Sequence, residues 1–168
     1  MRIEPLTRAA FAPFGEVIQT EGAEHFPING GSTERFHALA RAEVLEGGEA
    51  IISVFRATPR ALPFTLQEME YHPLGSQAFY PLSGLPYLVV VAPKGPPPAP
   101  ESLRVFLARP DQGVNYAPGV WHHPLIGLYE TSDYLIIDRR GPGNNCVVQA
   151  LPRTIHITQA NISAAAKG

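Results

Sequence analysis

Apolar residues along this chain come in short runs, and a turn residue closes nearly every one. Runs of this kind, bounded by glycine, proline or asparagine, read as strands rather than helices. Strands are therefore expected at 15–20, 66–72, 78–82, 86–92, 103–108, 120–123, 133–138 and 146–150. The β-branched A-I-I-S-V-F-R at 50–56 reads as a buried strand. T-I-H-I-T at 154–158 alternates cleanly, as does R-F-H-A-L-A at 35–40, with Arg35 and His37 on one face and Phe36 on the other. L-T-R-A-A-F-A, closed by Pro13 and Gly15, predicts instead a short helix with Thr7 as N-cap. The polar, glycine-rich segment 21–34 reads as a loop. Pro96, Pro97 and Pro98 with Pro100 read as a stiff exposed excursion, and the terminal A-A-A-K-G as a frayed end. About ten short strands and one weak helix predict an all-β antiparallel sandwich or barrel of jelly-roll type. No internal repeat is visible, and residues 1–168 read as a single domain.

Composition narrows the classes of function. A chain of 168 residues is long enough for one domain with a real core. The formal charge is −2 without any Lys/Arg cluster, which argues against a nucleic-acid partner. The 18 prolines and 15 glycines are scattered among apolar runs, which suits turns rather than disorder. The longest apolar run, 88–92, is too short to cross a bilayer. The opening M-R-I-E-P-L-T lacks the apolar core of a signal peptide. With Cys146 alone, neither an internal disulfide nor a cysteine zinc cluster can form. That thiol is expected as a buried small hydrophobe. A cytoplasmic location with no membrane partner follows as the expectation.

Candidate chemistry gathers in two stretches. In M-E-Y-H-P-L-G-S-Q-A-F-Y-P-L-S-G, 69–84, Glu70 and His72 are two apart and share a strand face. Pro73 and Gly75 interrupt that strand, and Gln77 opens the next apolar run. The second stretch, G-V-N-Y-A-P-G-V-W-H-H-P-L at 113–125, brings His122 and His123. These adjacent histidines face opposite ways on a regular strand, so only one enters a shared pocket. Taken singly, a strand carboxylate is usually solvated and a strand histidine usually structural, so the joint spacing is what selects the site. Trp121, Met69 and Phe79 read as core, and Asp133 and Asp138 as turn and edge residues.

The series Glu70, His72, Gln77, Gly84 has the spacing of the first cupin motif, and Gly113 through Pro118-Gly119 to His122 resembles the second. Here Glu70 stands in place of a histidine and Gln77 in place of the glutamate, while Gly113 lies one residue closer to the proline. The resemblance implies a metal set of Glu70, His72, Gln77 and His122, with His122 rather than His123 in the pocket. Two imidazoles, a carboxylate and an amide oxygen hold a divalent ion less tightly than three histidines and a glutamate.

Further blocks resemble the ureidoglycolate lyase family, whose members are also called ureidoglycolate hydrolases. They are E-R-F-H-A-L-A at 34–40, H-P-L-G-S-Q-A-F at 72–79, Q-G-V-N-Y at 112–116, V-W-H-H-P-L at 120–125, and D-R ahead of N-N-C at 144–146. The likeness runs from the N-terminal helix to about residue 152. It implies a cupin-like homodimer that cleaves (S)-ureidoglycolate to glyoxylate and urea in allantoin breakdown, with nickel as a candidate cofactor. Such a reaction needs a base for the hydroxyl proton, an acid for the departing urea nitrogen and a cation for the carboxylate. Glu70 suits the base if burial raises its pKa, and His72 or His122 suits the acid. Arg35 is the first choice for the carboxylate because guanidinium offers two parallel donors, with Arg139 as runner-up. Asn115, Tyr116 and Ser32 are candidates for the ureido group, and Gln77 for substrate or metal. Two other readings compete: an amidohydrolase releasing ammonia, for which no second metal-binding cluster is visible, and a non-catalytic cupin that binds a small anion.

Overall fold

The computed structural model describes residues 1–165 and is built almost wholly of short strands. Strand β1 (Ile3–Pro5) leads into helix α1 (Arg8–Phe11), then β2 (Gly15–Ile18). The Thr7 side chain accepts from the Ala10 N–H at 3.2 Å, which is the expected N-cap. A hairpin follows, β3 (His25–Ile28) and β4 (Thr33–Phe36), then β5 (Glu49–Ala57), β6 (Phe64–Tyr71), β7 (Gln77–Pro81) and β8 (Tyr87–Ala92). Next come β9 (Arg104–Ala108), β10 (Gly113–Tyr116), β11 (Trp121–His122), β12 (Ile126–Gly127), β13 (Ser132–Arg140) and β14 (Val147–Ile157). Helix α2 (Gln159–Ala165) closes the described chain.

Two sheets face one another in an all-β, cupin-like jelly roll. The larger has the order β1-β9-β8-β11-β6-β14, with β12 also pairing β8; the smaller is β2-β10-β7-β13-β5. Only the β1–β9 pairing is parallel among the described pairs. Strand β8 is buried along its whole length, and its two faces serve different cores. Tyr87, Val89 and Val91 join Phe79, Val114, Tyr116, Tyr134 and Ile136 of the smaller sheet, so that cluster fills the space between the sheets. Leu88, Val90 and Ala92 join Leu66, Met69 and Trp121 on the outer face of the larger sheet, which Ile162 of α2 covers. Each large apolar side chain among them contributes about 1.5–3 kcal/mol on leaving water. At Gly15, with φ of 144°, an added Cβ would lie 1.9 Å from the Asn115 carbonyl oxygen, so only glycine lets β2 lie this close to β10.

Several expected elements differ. Segment 21–34 is not all loop: it holds β3, which pairs with β4 through Phe26↔Arg35 and its neighbours. The 35–40 run stops at Phe36, and Ala38 has φ of 49°. The 50–56 run is a strand but not a buried one. Among the described residues its strand, β5, pairs only with β13, and Ile52 and Val54 are 73% and 58% exposed. The runs at 146–150 and 154–158 are one strand, β14, with an irregularity between Ala150 and Ile155. Pro98 and Pro100 are buried. Helix α2 includes Ala164 and Ala165, and the rest of the terminal A-A-A-K-G, 166–168, lies outside the described residues. A reciprocal cap starts that helix: Asn161 Oδ1 accepts from the Thr158 N–H at 2.9 Å, and Thr158 Oγ1 accepts from the Asn161 N–H at 3.3 Å. No described helix is long and apolar enough to cross a membrane.

Candidate active site

Glu70 lies near the end of β6 and pairs directly with His122 of β11. His72 follows β6, and Gln77 opens β7 across the Pro73–Ser76 turn. Two strands of the larger sheet and one of the smaller thus converge their polar side chains. The ligating atoms of Glu70, His72 and His122 all lie within 4.8 Å of one another. Glu70 Oε1 is 3.6 Å from His122 Nε2 and 4.0 Å from His72 Nε2, while Gln77 Oε1 is 3.1 Å from His72 Nε2.

Hydrogen bonding dictates what these atoms present. The His72 Nδ1–H donates to the Asn145 carbonyl oxygen at 2.6 Å, and the His122 Nδ1–H donates to the Val120 carbonyl oxygen at 3.0 Å. A carbonyl oxygen can only accept, so each Nδ1 must carry the hydrogen, and a ring that holds no second proton turns a lone pair at Nε2 toward the cluster. His122 is 1% exposed, its Nε2 has no hydrogen-bond partner among the described residues, and its ring stacks on Tyr116 at 4.3 Å between centroids. Four acceptors, namely the two Nε2 atoms, Glu70 Oε1 and Gln77 Oε1, therefore face one another without a donor among them. That set fits a divalent cation, with imidazole and oxygen donors of the kind first-row transition metals take.

Burial pushes the Glu70 carboxyl up, but attraction to His122, then to His72 and His123, outweighs it and holds the group below its usual value of 4.5. The expected elevation by burial is thus reversed. Burial pushes His122 below 6.5, so it is neutral at neutral pH. Burial lowers His123 as well. His123 sits apart from the cluster, donating through Nδ1 to the Pro124 carbonyl oxygen at 2.7 Å and meeting the Phe64 ring edge-on. His122, and not His123, therefore stands with Glu70 and His72.

Two clefts flank the cluster. One, of about 490 Å³, has Glu70, Gln77, Phe79 and Phe55 in its wall. The other, of about 290 Å³, is lined by His72, Gln77, Asp138, Arg139, Asn145 and Cys146 among others.

The remaining expected site residues divide. Arg139 reaches the second cleft. Its Nε donates to Leu45 O and its Nη2 to Glu46 O and Pro142 O, leaving a buried Nη1 without a partner among the described residues. Arg35 lines neither cleft; it is exposed on the β3–β4 hairpin, with its guanidinium 5.9 Å from the Phe26 ring centre. Ser32 is exposed on the same hairpin. Asn115 alternates with Tyr116 on β10 and faces away from the cluster, donating to Glu16 Oε2 at 2.6 Å and to Arg41 O at 3.0 Å. Tyr116 itself lies against His122 by its ring face. Cys146 is exposed rather than buried, with Sγ 3.9 Å from Glu70 Oε2. Asp138 is no mere edge residue: its Oδ2 accepts from Gln77 Nε2 at 3.4 Å. Its place beside Gln77 follows from β13–β7 register, which no local pattern reveals. For the Asn145 carbonyl, the N-N-C block holds the one sequence signal, and a faint one.

Comparison with known proteins agrees with this architecture. A family model described as Ureidoglycolate lyase matches residues 1–158. A protein of Burkholderia mallei (strain NCTC 10229) named ureidoglycolate lyase is 55% identical over 159 residues, covering 94% of this chain and 93% of its own. One of the same name from Azotobacter vinelandii (strain DJ / ATCC BAA-1303) is 56% identical over 147 residues, covering 87% and 89%. Another from Burkholderia cepacia is 59% identical over 148 residues, covering 87% and 83%.

Proposed function

This chain belongs to the ureidoglycolate lyase family, and we propose that it cleaves (S)-ureidoglycolate to glyoxylate and urea in allantoin breakdown, as one catalytic domain over residues 1–168. The observation that carries the reading is the meeting of four acceptor atoms from Glu70, His72, Gln77 and His122 beside two clefts. In the reaction the substrate hydroxyl loses its proton, its oxygen becomes the aldehyde of glyoxylate as the C–N bond breaks, and the urea nitrogen takes up a proton. Atoms balance without water.

Glu70, His72, His122 and the Gln77 carbonyl oxygen would hold a divalent cation, with nickel as the candidate. A cation bound there supplies Lewis acidity to the hydroxyl and positive charge to the substrate carboxylate. Glu70 Oε1 faces the imidazoles whereas Oε2 faces Cys146, so Oε2 remains to take the hydroxyl proton and return it to the urea nitrogen. The lowered pKa keeps this carboxylate ionised at neutral pH. Arg139, which shares the second cleft with His72, is the cation that pairs with the substrate carboxylate in this scheme.

The protein acts as a homodimer in this proposal. Val54, Leu135 and Tyr80 form one cross-strand row on the smaller sheet, and Ile52, Ile137 and Ala78 the next. With β5 at the sheet edge and its apolar side chains exposed, a second copy laid over this face would cover both Ile52 and Val54. A free exposed thiol at Cys146 suits the reducing cytoplasm.

Product analysis on racemic ureidoglycolate, before and after chelation, tests the reading. Equal urea and glyoxylate, lost on chelation and restored by one divalent ion, is the expected result. Ammonia in place of urea would make the protein an amidohydrolase, and no turnover would make it a binding protein.

A further inference from the structure

Gln77 is 7% exposed, and its amide spans two unlike neighbours, His72 Nε2 at 3.1 Å and Asp138 Oδ2 at 3.4 Å. The strand register explains the second contact. Ile137 of β13 pairs with Ala78 of β7, and continuing that pairing by one residue brings Asp138 opposite Gln77.

An amide can lie in this slot two ways round. In one, the NH2 donates to Asp138 and the carbonyl oxygen faces His72. In the other, the NH2 donates to the His72 Nε2 lone pair and the oxygen faces Asp138. The second orientation would close the cluster with an internal hydrogen bond and put a donor where a cation needs an acceptor. A His72 ring with its single proton on Nδ1, donated to the Asn145 carbonyl oxygen, does not forbid it, because Nε2 is then an acceptor. What opposes it is the carboxylate of Asp138, which repels an amide oxygen and attracts an amide N–H. Asp138 Oδ1 is buried without a partner among the described residues, so this carboxylate has little else to bind.

We propose that Asp138 is a positioning residue that holds the Gln77 amide with its oxygen toward His72, and so keeps the Glu70–His72–His122 cluster open to a divalent cation. The inference rests on the reading of that cluster as a cation site. Asp138 touches neither cation nor substrate in this scheme; it acts through Gln77.

Cobalt(II) titration of the purified full-length protein, followed by the ion's visible absorption, provides a test that does not depend on turnover. Asp138→Ala should weaken cobalt binding about tenfold or more, the usual cost of losing a partner that orients a ligand. In a Gln77→Glu background the sign should change. A carboxylate has no wrong way round, and the one introduced by Gln77→Glu would repel Asp138. There, Asp138→Ala should leave binding unchanged or tighten it. Asp138→Asn keeps the shape and should show the same pattern with smaller effects, should the alanine variant fold poorly. An equal loss in both backgrounds, or no loss with Gln77 present, would overturn the role of Asp138 alone. Absence of cobalt and nickel binding by the unaltered protein would instead overturn the cation-site reading, and this inference with it.

Discussion

His122 Nε2 stands 3.6 Å from Glu70 Oε1, too far for a hydrogen bond, in a ring that is 1% exposed and stacked on Tyr116. A buried imidazole nitrogen without a partner is costly, because desolvation is not offset by any bond. Its neighbour His123 lies away from the cluster, packed on Phe64 and bonded to Pro124. The two adjacent histidines therefore predict unequal variants.

His122→Ala should lower kcat/KM by about a hundredfold or more, within the range of lost acid–base or ligand groups. His123→Ala should change it by much less and act mainly on stability, through lost packing against Phe64. Steady-state kinetics with thermal unfolding of both variants decides this. The reverse order would place His123, and not His122, in the chemistry.

Acid should destabilise the protein in a defined window. Burial depresses His122 and His123 below 6.5, so as pH falls past that value the unfolded chain takes up protons before the folded one does. Stability is then lost progressively with falling pH. Glu70, held below 4.5 by its imidazole neighbours, adds loss in the same direction once pH falls past that value. Urea unfolding of the metal-free protein from neutral to mildly acid pH should show the decline, and His122→Asn should flatten part of it. A flat profile would mean that these imidazoles accept protons as readily in the folded state as in the unfolded one.

Cys146 offers a reporter of the site. Partial burial and then the Glu70 carboxylate push its thiol above 9.0, so it should react slowly with iodoacetamide at neutral pH despite being exposed. Glu70→Gln removes the negative charge and should speed alkylation several-fold. Mass-spectrometric rates with and without the substitution test the link; equal rates would mean that the carboxylate does not influence this thiol.

The apolar rows on the smaller sheet predict that Ile52→Lys with Val54→Lys shifts the protein from dimer to monomer, read by light scattering. A dimer that survives both changes would move the interface to another face, and an unaltered protein that is already monomeric would remove it.

Much of this protein is legible in the order of its residues alone. Short apolar runs with turn residues between them foretell strands, the 70/72 spacing foretells a shared face, and the motif spacing singles out His122 from His123. These signals are local: period-two alternation and turn chemistry act over a few residues, and they survive without any knowledge of partners. What depends on long-range pairing is not legible. The β-branched residues of β5 look the same on a covered sheet face as on an open one, so the run reads as buried; Ile52 and Val54, two apart, share a face that nothing among the described residues covers. The Glu70 shift reverses because imidazoles from separate segments outweigh burial. Asp138 meets Gln77 across 61 residues of chain. Arg35 and Asn115 have the right chemistry on the wrong surfaces, one on an exposed hairpin and one on the far face of β10. Residue type and spacing name the groups a site can use, but a side chain's electrostatics depend on inverse distance and local dielectric, and both are decided when the two sheets close on each other.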